Sequence, residues 1–116
     1  MIGVKRVYEP WSATDGYRVL VDRIWPRGLS KEKAHLDEWL REIAPSAELR
    51  IWFGHDPARW PEFQERYRRE LTAPASAAHL ARLRALASDR RVTILFGSKE
   101  DRYNNAVAVA ALLRTL

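Results

Sequence analysis

Two short apolar segments constrain the fold more than any other feature of the sequence. Arg91–Phe96 is β-branched, aliphatic or aromatic almost throughout, and Tyr17–Trp25 contains the apolar triplet Val19–Val21. Strands without a polar face are typical of parallel sheets that are covered on both sides. Ile2–Tyr8 is predicted to be a further strand. Its direction stays open, because the connection that follows it is too short for a crossover helix.

The chain between the second and third predicted strands is predicted to be helical. Ser30 is placed to cap a short turn over 31–34, and Leu36, Trp39, Leu40 and Ile43 have the spacing of one helix face. Three further helix starts are expected at these residues: Ser46, with Gly54 ending that helix; Asp56-Pro57, with the stripe Trp60, Phe63, Tyr67 and Leu71; and Ser76, after a break at Pro74.

A last helix is expected over 104–116, apolar all round from Ala106 to Leu113. The predicted fold class is therefore α/β. It is a small, mainly parallel three-stranded sheet covered by about five helices, in a single domain over residues 1–116. The crossover from the second strand to the third should be right-handed.

Composition excludes several classes of protein. The chain has 116 residues and no cysteine, which excludes a disulfide framework, a thiolate metal site and a cysteine nucleophile. No apolar run approaches the roughly 20 residues that span a bilayer, and the first residues do not have the layout of a signal peptide. A cytoplasmic location without membrane association is expected. The net charge of +5 is carried mostly by arginine, sixteen against four lysines.

A binding site is predicted where the second and third strands end. In open parallel sheets, ligands bind beyond the carboxyl ends of the strands. Arginine suits phosphate and carboxylate groups, and a helix N-terminus favours an anion. The candidate ligand-binding residues in these two loops are Arg23, Trp25, Arg27, Lys99, Asn104 and Asn105. Each also has a structural interpretation: Asn104 as a helix cap, for example, or Trp25 as packing.

Two residues are candidate catalytic groups. Asp22 follows the second strand and is placed to act as a general base or to hold Arg23. His55 lies in a loop beside Asp56 and is either a base or an ordinary loop residue. No HxH or HExxH spacing exists, and no glycine-rich phosphate loop or nucleophile elbow occurs. We therefore expect neither a metal nor a cofactor.

Four segments carry a resemblance to a known family. They are Tyr17–Gly28 (YRVLVDRIWPRG), Leu29–Leu36, Trp52–Pro57 (WFGHDP) and Leu95–Val107 (LFGSKEDRYNNAV). Over nearly the whole chain the sequence resembles the YeaO-like family of uncharacterised bacterial proteins, a domain of unknown function. The resemblance implies a small cytoplasmic α/β protein without an established activity.

This chain departs from the family pattern at one point. Tyr103 stands where the family usually has histidine before the asparagine pair, and a tyrosine has a much higher pKa. Longer relatives carry Cys-His-Arg near this point, but a chain without cysteine cannot inherit a thiol mechanism.

Three functions are compatible with these features. The first is binding of, or action on, a small anionic, phosphate- or nucleotide-like ligand at the two strand ends. The second is a nucleic-acid-binding module, which requires a continuous basic face. The third is a non-catalytic interaction protein, which requires an exposed apolar patch. We rank them in this order. The sequence leaves the reaction, if there is one, and the oligomeric state open.

Overall fold

The computed structural model describes residues 1–116 and contains four strands and five α-helices. In chain order they are β1 (Ile2–Arg6), β2 (Tyr17–Leu20), α1 (Lys31–Ala34), β3 (Glu38–Trp39), α2 (Ala47–Phe53), α3 (Trp60–Leu71), α4 (Pro74–Asp89), β4 (Val92–Phe96) and α5 (Asn105–Thr115). Short 3-10 helices precede β2, α2 and α3, at Ala13–Asp15, Arg41–Ile43 and Pro57–Arg59.

All four strands are parallel and lie in the order β1-β4-β2-β3. The last strand of the chain is therefore central: Val92 is in register with Ile2 of β1 on one side and Tyr17 of β2 on the other. All five residues of β4 are buried, as its apolar sequence predicts. This order settles the direction of β1, which runs parallel to β4 and makes no pair with β2.

The two faces of the sheet are covered differently. Val19, Ile94 and Phe96 point into the main core, where they meet the apolar sides of α2, α3, α4 and α5. Alternate residues on the other face, Leu20 and Leu95, form a smaller cluster with Val7. Connecting segments and the single turn of α1 cover that second face, so the helices are concentrated on one side of the sheet.

A buried arginine connects the second face of the sheet to the end of α1. Arg18 is 1% exposed, and its guanidinium donates to the carbonyls of Ala34 and His35 and to the Asp15 carboxylate, 2.6 Å away. These bonds satisfy the carbonyl groups at the end of α1. Burial disfavours the Asp15 anion, but hydrogen bonds from Lys5, the Ser12 amide and Arg18 outweigh it and hold the pKa of Asp15 below its ordinary value.

The prediction of a three-stranded sheet was wrong by one strand. Glu38–Trp39 forms β3 beside β2, and Arg41–Ile43 is a 3-10 helix, so the helix predicted over this stretch does not exist. His35 in the left-handed region ends α1, and the indole of Trp39 donates to the Asp22 carbonyl at 2.7 Å. These tertiary contacts override a spacing that also suits a helix.

Most helix ends match the sequence, with one exception. Ser30, Ser46 and Asn104 accept hydrogen bonds from the first turns of their helices, and Gly54 ends α2 in the left-handed region. Pro74, however, starts α4 rather than breaking the chain before Ser76, because proline is compatible with a first helical turn. No helix has the length and apolar character needed to cross a membrane.

Candidate functional site at the carboxyl edge of the sheet

A cavity of about 170 Å³ opens where β2 and β4 end. One wall comes from the residues that follow the two strands and from the start of α5, and the opposite wall from α2, α3 and their connecting loops. The lining residues are Asp22, Arg23, Ile24, Ala44, Pro45, Arg50, Phe53, His55, Phe63, Ser98 and Asn105. The site therefore lies at the edge where ligands bind in open parallel sheets.

Asp22 joins the ends of the two strands. One carboxylate oxygen accepts the backbone N–H of Gly97 at 2.7 Å, and the other accepts the side-chain amide of Asn105 at 3.1 Å. Burial raises the pKa of Asp22, while the bonds from Asn105 and Gly97 and the nearby His55 oppose that rise. A perturbed carboxyl group in a cleft is typical of functional sites.

Gly97 lets this contact form. A Cβ at this position would lie 3.1 Å from the Asp22 carboxylate oxygen, a tighter distance than about nine in ten Cβ contacts have. The absence of a side chain therefore allows the carboxylate to reach the Gly97 amide.

Asn105 is the first residue of α5 and faces the cavity. Its amide nitrogen donates to the Val21 carbonyl at 2.8 Å as well as to Asp22. With both amide hydrogens engaged on oxygen atoms, the opposite orientation of the amide would place oxygen against oxygen. The orientation of Asn105 is therefore fixed, with its carbonyl oxygen turned away from Asp22 and Val21.

Two arginines bring positive charge to the cavity. Arg23 follows Asp22, and one guanidinium nitrogen donates to the Pro45 carbonyl at 3.3 Å. Arg50 projects from α2, and neither arginine takes part in any of the salt bridges of the chain. Two arginines that form no salt bridge with a carboxylate thus line the cavity.

His55 connects two of the loops around the site. It adopts a left-handed backbone conformation (φ 56°), which is uncommon for a residue with a side chain. Its ring packs edge-on against Phe53, and Nδ1 lies 3.1 Å from the Tyr103 carbonyl oxygen. His55 thereby ties the turn after α2 to the loop that leads into α5.

Only some of the predicted site residues line this cavity. Asp22, Arg23, His55 and Asn105 line it. Lys99 lines a separate hollow beside β1, together with Val4 and Arg6.

The other predicted ligand-binding residues have structural surroundings. Trp25 donates its indole N–H to the Leu29 carbonyl at 2.6 Å and packs edge-on against Trp39. Asn104 is fully buried, caps α5 and donates to the Glu100 carbonyl. Arg27 is exposed, and its backbone carbonyl accepts the Tyr8 hydroxyl. None of these three lines the cavity.

Sequence reasoning missed Arg50 and the aromatic wall formed by Phe53 and Phe63. Arg50 lies on the exposed side of a short helix and has no motif around it. The two phenylalanines stack with ring centroids 4.2 Å apart, and from sequence they indicate only a core. Ser98 also lines the cavity, and its hydroxyl lies 3.3 Å from the Glu100 carbonyl oxygen.

The fold and the site define a small parallel α/β protein with a cavity of mixed polar and apolar lining at the carboxyl edge of its sheet. A family model described as the inactive DUF488-N3 subclade matches residues 1–116, and the chain belongs to this family. The expected YeaO-like membership is confirmed: the chain is 42% identical to the uncharacterized protein YeaO of Escherichia coli (strain K12), over 99% of this chain and 98% of that protein.

Relatives occur in mycobacteria as well. Uncharacterized proteins of Mycobacterium tuberculosis (strain ATCC 25618 / H37Rv) and Mycobacterium bovis are each 42% identical, over 97% of this chain and 92% of theirs. No solved structure matches the chain significantly.

Proposed function

We propose that the chain binds a small ligand carrying a phosphate or carboxylate group in the cavity between β2, β4 and α2. The observation that carries the proposal is the pair Arg23 and Arg50, two guanidinium groups that line one cavity and pair with no carboxylate of the chain. Planar guanidinium groups match the oxygen atoms of phosphates and carboxylates. Asn105, the first residue of α5, lines the same cavity, and the dipole at this helix end favours an anion.

The arrangement supports binding rather than catalysis. The one carboxylate in the cavity, Asp22, is already engaged by two N–H donors, and Ser98 has no base beside it. The chain has no cysteine to act as a nucleophile. The family description as an inactive subclade agrees with this interpretation.

The nucleic-acid alternative has less support. On α3, where Arg66, Arg68 and Arg69 lie close together in sequence, Arg66 pairs with Glu62 and Arg69 with Glu65, each one turn earlier. Such pairs belong to a solvated helix face of mixed charge, whereas nucleic-acid binding relies on a basic surface free to contact phosphates.

The test is calorimetric titration with ethyl phosphate, inorganic phosphate and propionate at low ionic strength. We expect saturable binding of at least one of these anions. A charge-assisted hydrogen bond is worth about 1.5–3 kcal/mol, so Arg23→Ala and Arg50→Ala should each weaken binding about 10- to 100-fold.

Arg27→Ala is the matched control, since it removes the same charge from an exposed position outside the cavity. We expect it to change affinity less than about 2-fold, by screened long-range attraction alone. Absence of binding by every anion, or an equal loss in Arg27→Ala and Arg50→Ala, would contradict the proposal.

A further inference from the structure

The wall of the cavity formed by Asp22 and Asn105 offers hydrogen-bond acceptors. Both amide hydrogens of Asn105 are used within the chain, so this side chain has only its carbonyl oxygen to offer. That oxygen accepts no hydrogen bond, and the chain contains no buried side-chain polar atom without a partner. The Asn105 oxygen is therefore exposed rather than buried, and because Asn105 lines the cavity, a donor group of a ligand can reach it.

Asp22 adds a negative charge to the same wall. Each of its carboxylate oxygens accepts one hydrogen bond and has room for another. Both donors, the Gly97 amide and the Asn105 amide, are neutral, and no lysine or arginine forms a salt bridge with Asp22. Of the ionisable groups of the chain, His55 is the one whose proximity opposes the rise in the pKa of Asp22. A half-buried carboxylate without a direct counter-ion is a site for a cation supplied from outside.

The guanidinium groups of Arg23 and Arg50 bring only donors to the cavity, because arginine has no acceptor atom. The cavity therefore combines cationic donors with an anionic acceptor wall. Apolar side chains of Ile24, Phe53 and Phe63 complete the lining. A ligand that satisfies this lining has an anionic group, a short apolar connection and a cationic donor group.

We propose that the ligand is a small zwitterion whose ammonium group binds Asp22 and the Asn105 carbonyl oxygen while its phosphate group binds Arg23 and Arg50. This inference rests on the anion-binding function proposed above and specifies its ligand class. Binding requires no covalent step, and no proton has to move, because an alkyl ammonium group and a phosphate ester are both charged near neutral pH.

The test compares phosphate esters that differ in the presence of an amino group and in its distance from the phosphate. Ethyl phosphate, 2-aminoethyl phosphate and 3-aminopropyl phosphate are titrated by calorimetry into the full chain at pH 7.5. A charge-assisted bond to Asp22 should make the better aminoalkyl phosphate bind about 10- to 100-fold more tightly than ethyl phosphate. Choline phosphate, which keeps the positive charge without an N–H donor, should lose most of this gain.

Asp22→Asn provides the matching change in the protein. In this variant the ratio of ethyl phosphate to aminoalkyl phosphate dissociation constants should fall below about 2-fold, whereas Arg27→Ala should keep the wild-type ratio. Circular dichroism establishes whether Asp22→Asn folds, and the ligand series alone decides the question if it does not.

The results separate the two proposals. Equal affinity for ethyl phosphate and both aminoalkyl phosphates, full binding of choline phosphate, or an unchanged ratio in folded Asp22→Asn overturns the zwitterion. Binding of ethyl phosphate that depends on Arg50 leaves the anion-binding function in place in those cases. Failure of all four phosphate esters to bind overturns the zwitterion proposal directly, and failure of inorganic phosphate and propionate as well removes the anion-binding function.

Discussion

The Asp22 carboxylate accepts the backbone N–H of Gly97, the first residue after β4, at 2.7 Å. This bond links the ends of two neighbouring parallel strands across 75 residues of sequence. It determines where the loop toward α5 begins, and it holds Asp22 at the wall of the cavity.

Gly97→Ala should weaken this link. The new Cβ would lie 3.1 Å from the Asp22 oxygen, so the carboxylate must move by a few tenths of an ångström. We expect a loss of about 1 kcal/mol in the free energy of unfolding, the typical contribution of one hydrogen bond, measured by urea denaturation. The double variant with Asp22→Asn should lose less than the sum of the single variants. Strict additivity would show that the two residues are not coupled.

The ionisation of Asp22 should lower the free energy of unfolding as the pH rises. Burial raises the pKa of this carboxyl in the folded chain, with the Asn105 and Gly97 hydrogen bonds opposing the shift. The folded state therefore retains the proton more strongly than the unfolded state does. The contribution is fully present below the unfolded pKa of about 3.9 and is lost as pH rises through the folded pKa.

The measurement is the unfolding free energy against pH for the wild type and Asp22→Asn, which stays neutral. The wild type should lose stability relative to the variant from about pH 4 upward and then reach a plateau. A difference that is constant across this range would show that Asp22 has the same pKa in both states.

The contribution of Asp15 to stability should change with pH in the opposite direction. Burial disfavours its charge, but Lys5, the Ser12 amide and Arg18 together lower its pKa in the folded state. Its contribution is present above the unfolded pKa of about 3.9 and is lost as pH falls through the lower folded pKa. Asp15→Asn should therefore have a lower free energy of unfolding than the wild type near neutral pH. The difference between the two should become smaller in acid. Asp89→Asn, at an exposed position without a salt bridge, is the control and should follow the wild-type profile.

Asn104→Ala tests whether a predicted ligand contact is a helix cap. The Asn104 side chain accepts from the Val107 amide at 3.0 Å, and its own amide donates to the Glu100 carbonyl at 2.7 Å. Loss of an N-cap costs about 1 kcal/mol, and the buried Glu100 contact adds to this, so thermal unfolding should shift clearly downward. Ligand affinity of the folded variant should change less than about 2-fold. A 10-fold loss of affinity without loss of stability would return Asn104 to the binding site.

The parallel α/β fold is predictable because the patterns that specify it, an apolar strand and helix caps, can each be recognised within a short stretch of sequence. Val92–Phe96 is apolar apart from Thr93, and caps such as Ser46 and Asn104 are defined by their immediate neighbours. β3 cannot be predicted in this way, because a strand of two residues is too short to show an alternating pattern. Its pairing depends on β2, and its Trp39 is held by the Asp22 carbonyl, a contact that no sequence window contains.

The candidate site was predictable to the level of its loops but not of its side chains. Parallel neighbouring strands bring the segments after Val21 and Phe96 together, which places Asp22 beside Asn105. Which side chains turn inward depends on loop conformation. Lys99 faces a hollow beside β1, whereas Arg50, on a helix outside both loops, lines the cavity.

The position of β4 also determines when the protein can fold. β1 and β2 both pair with β4 and not with each other, so the first 91 residues lack the strand that joins them. During synthesis β1 stays unpaired until β4 has left the ribosome. Contacts between such distant segments slow folding and expose strand edges to aggregation. Assembly of this sheet is thus a late, nearly all-or-none event.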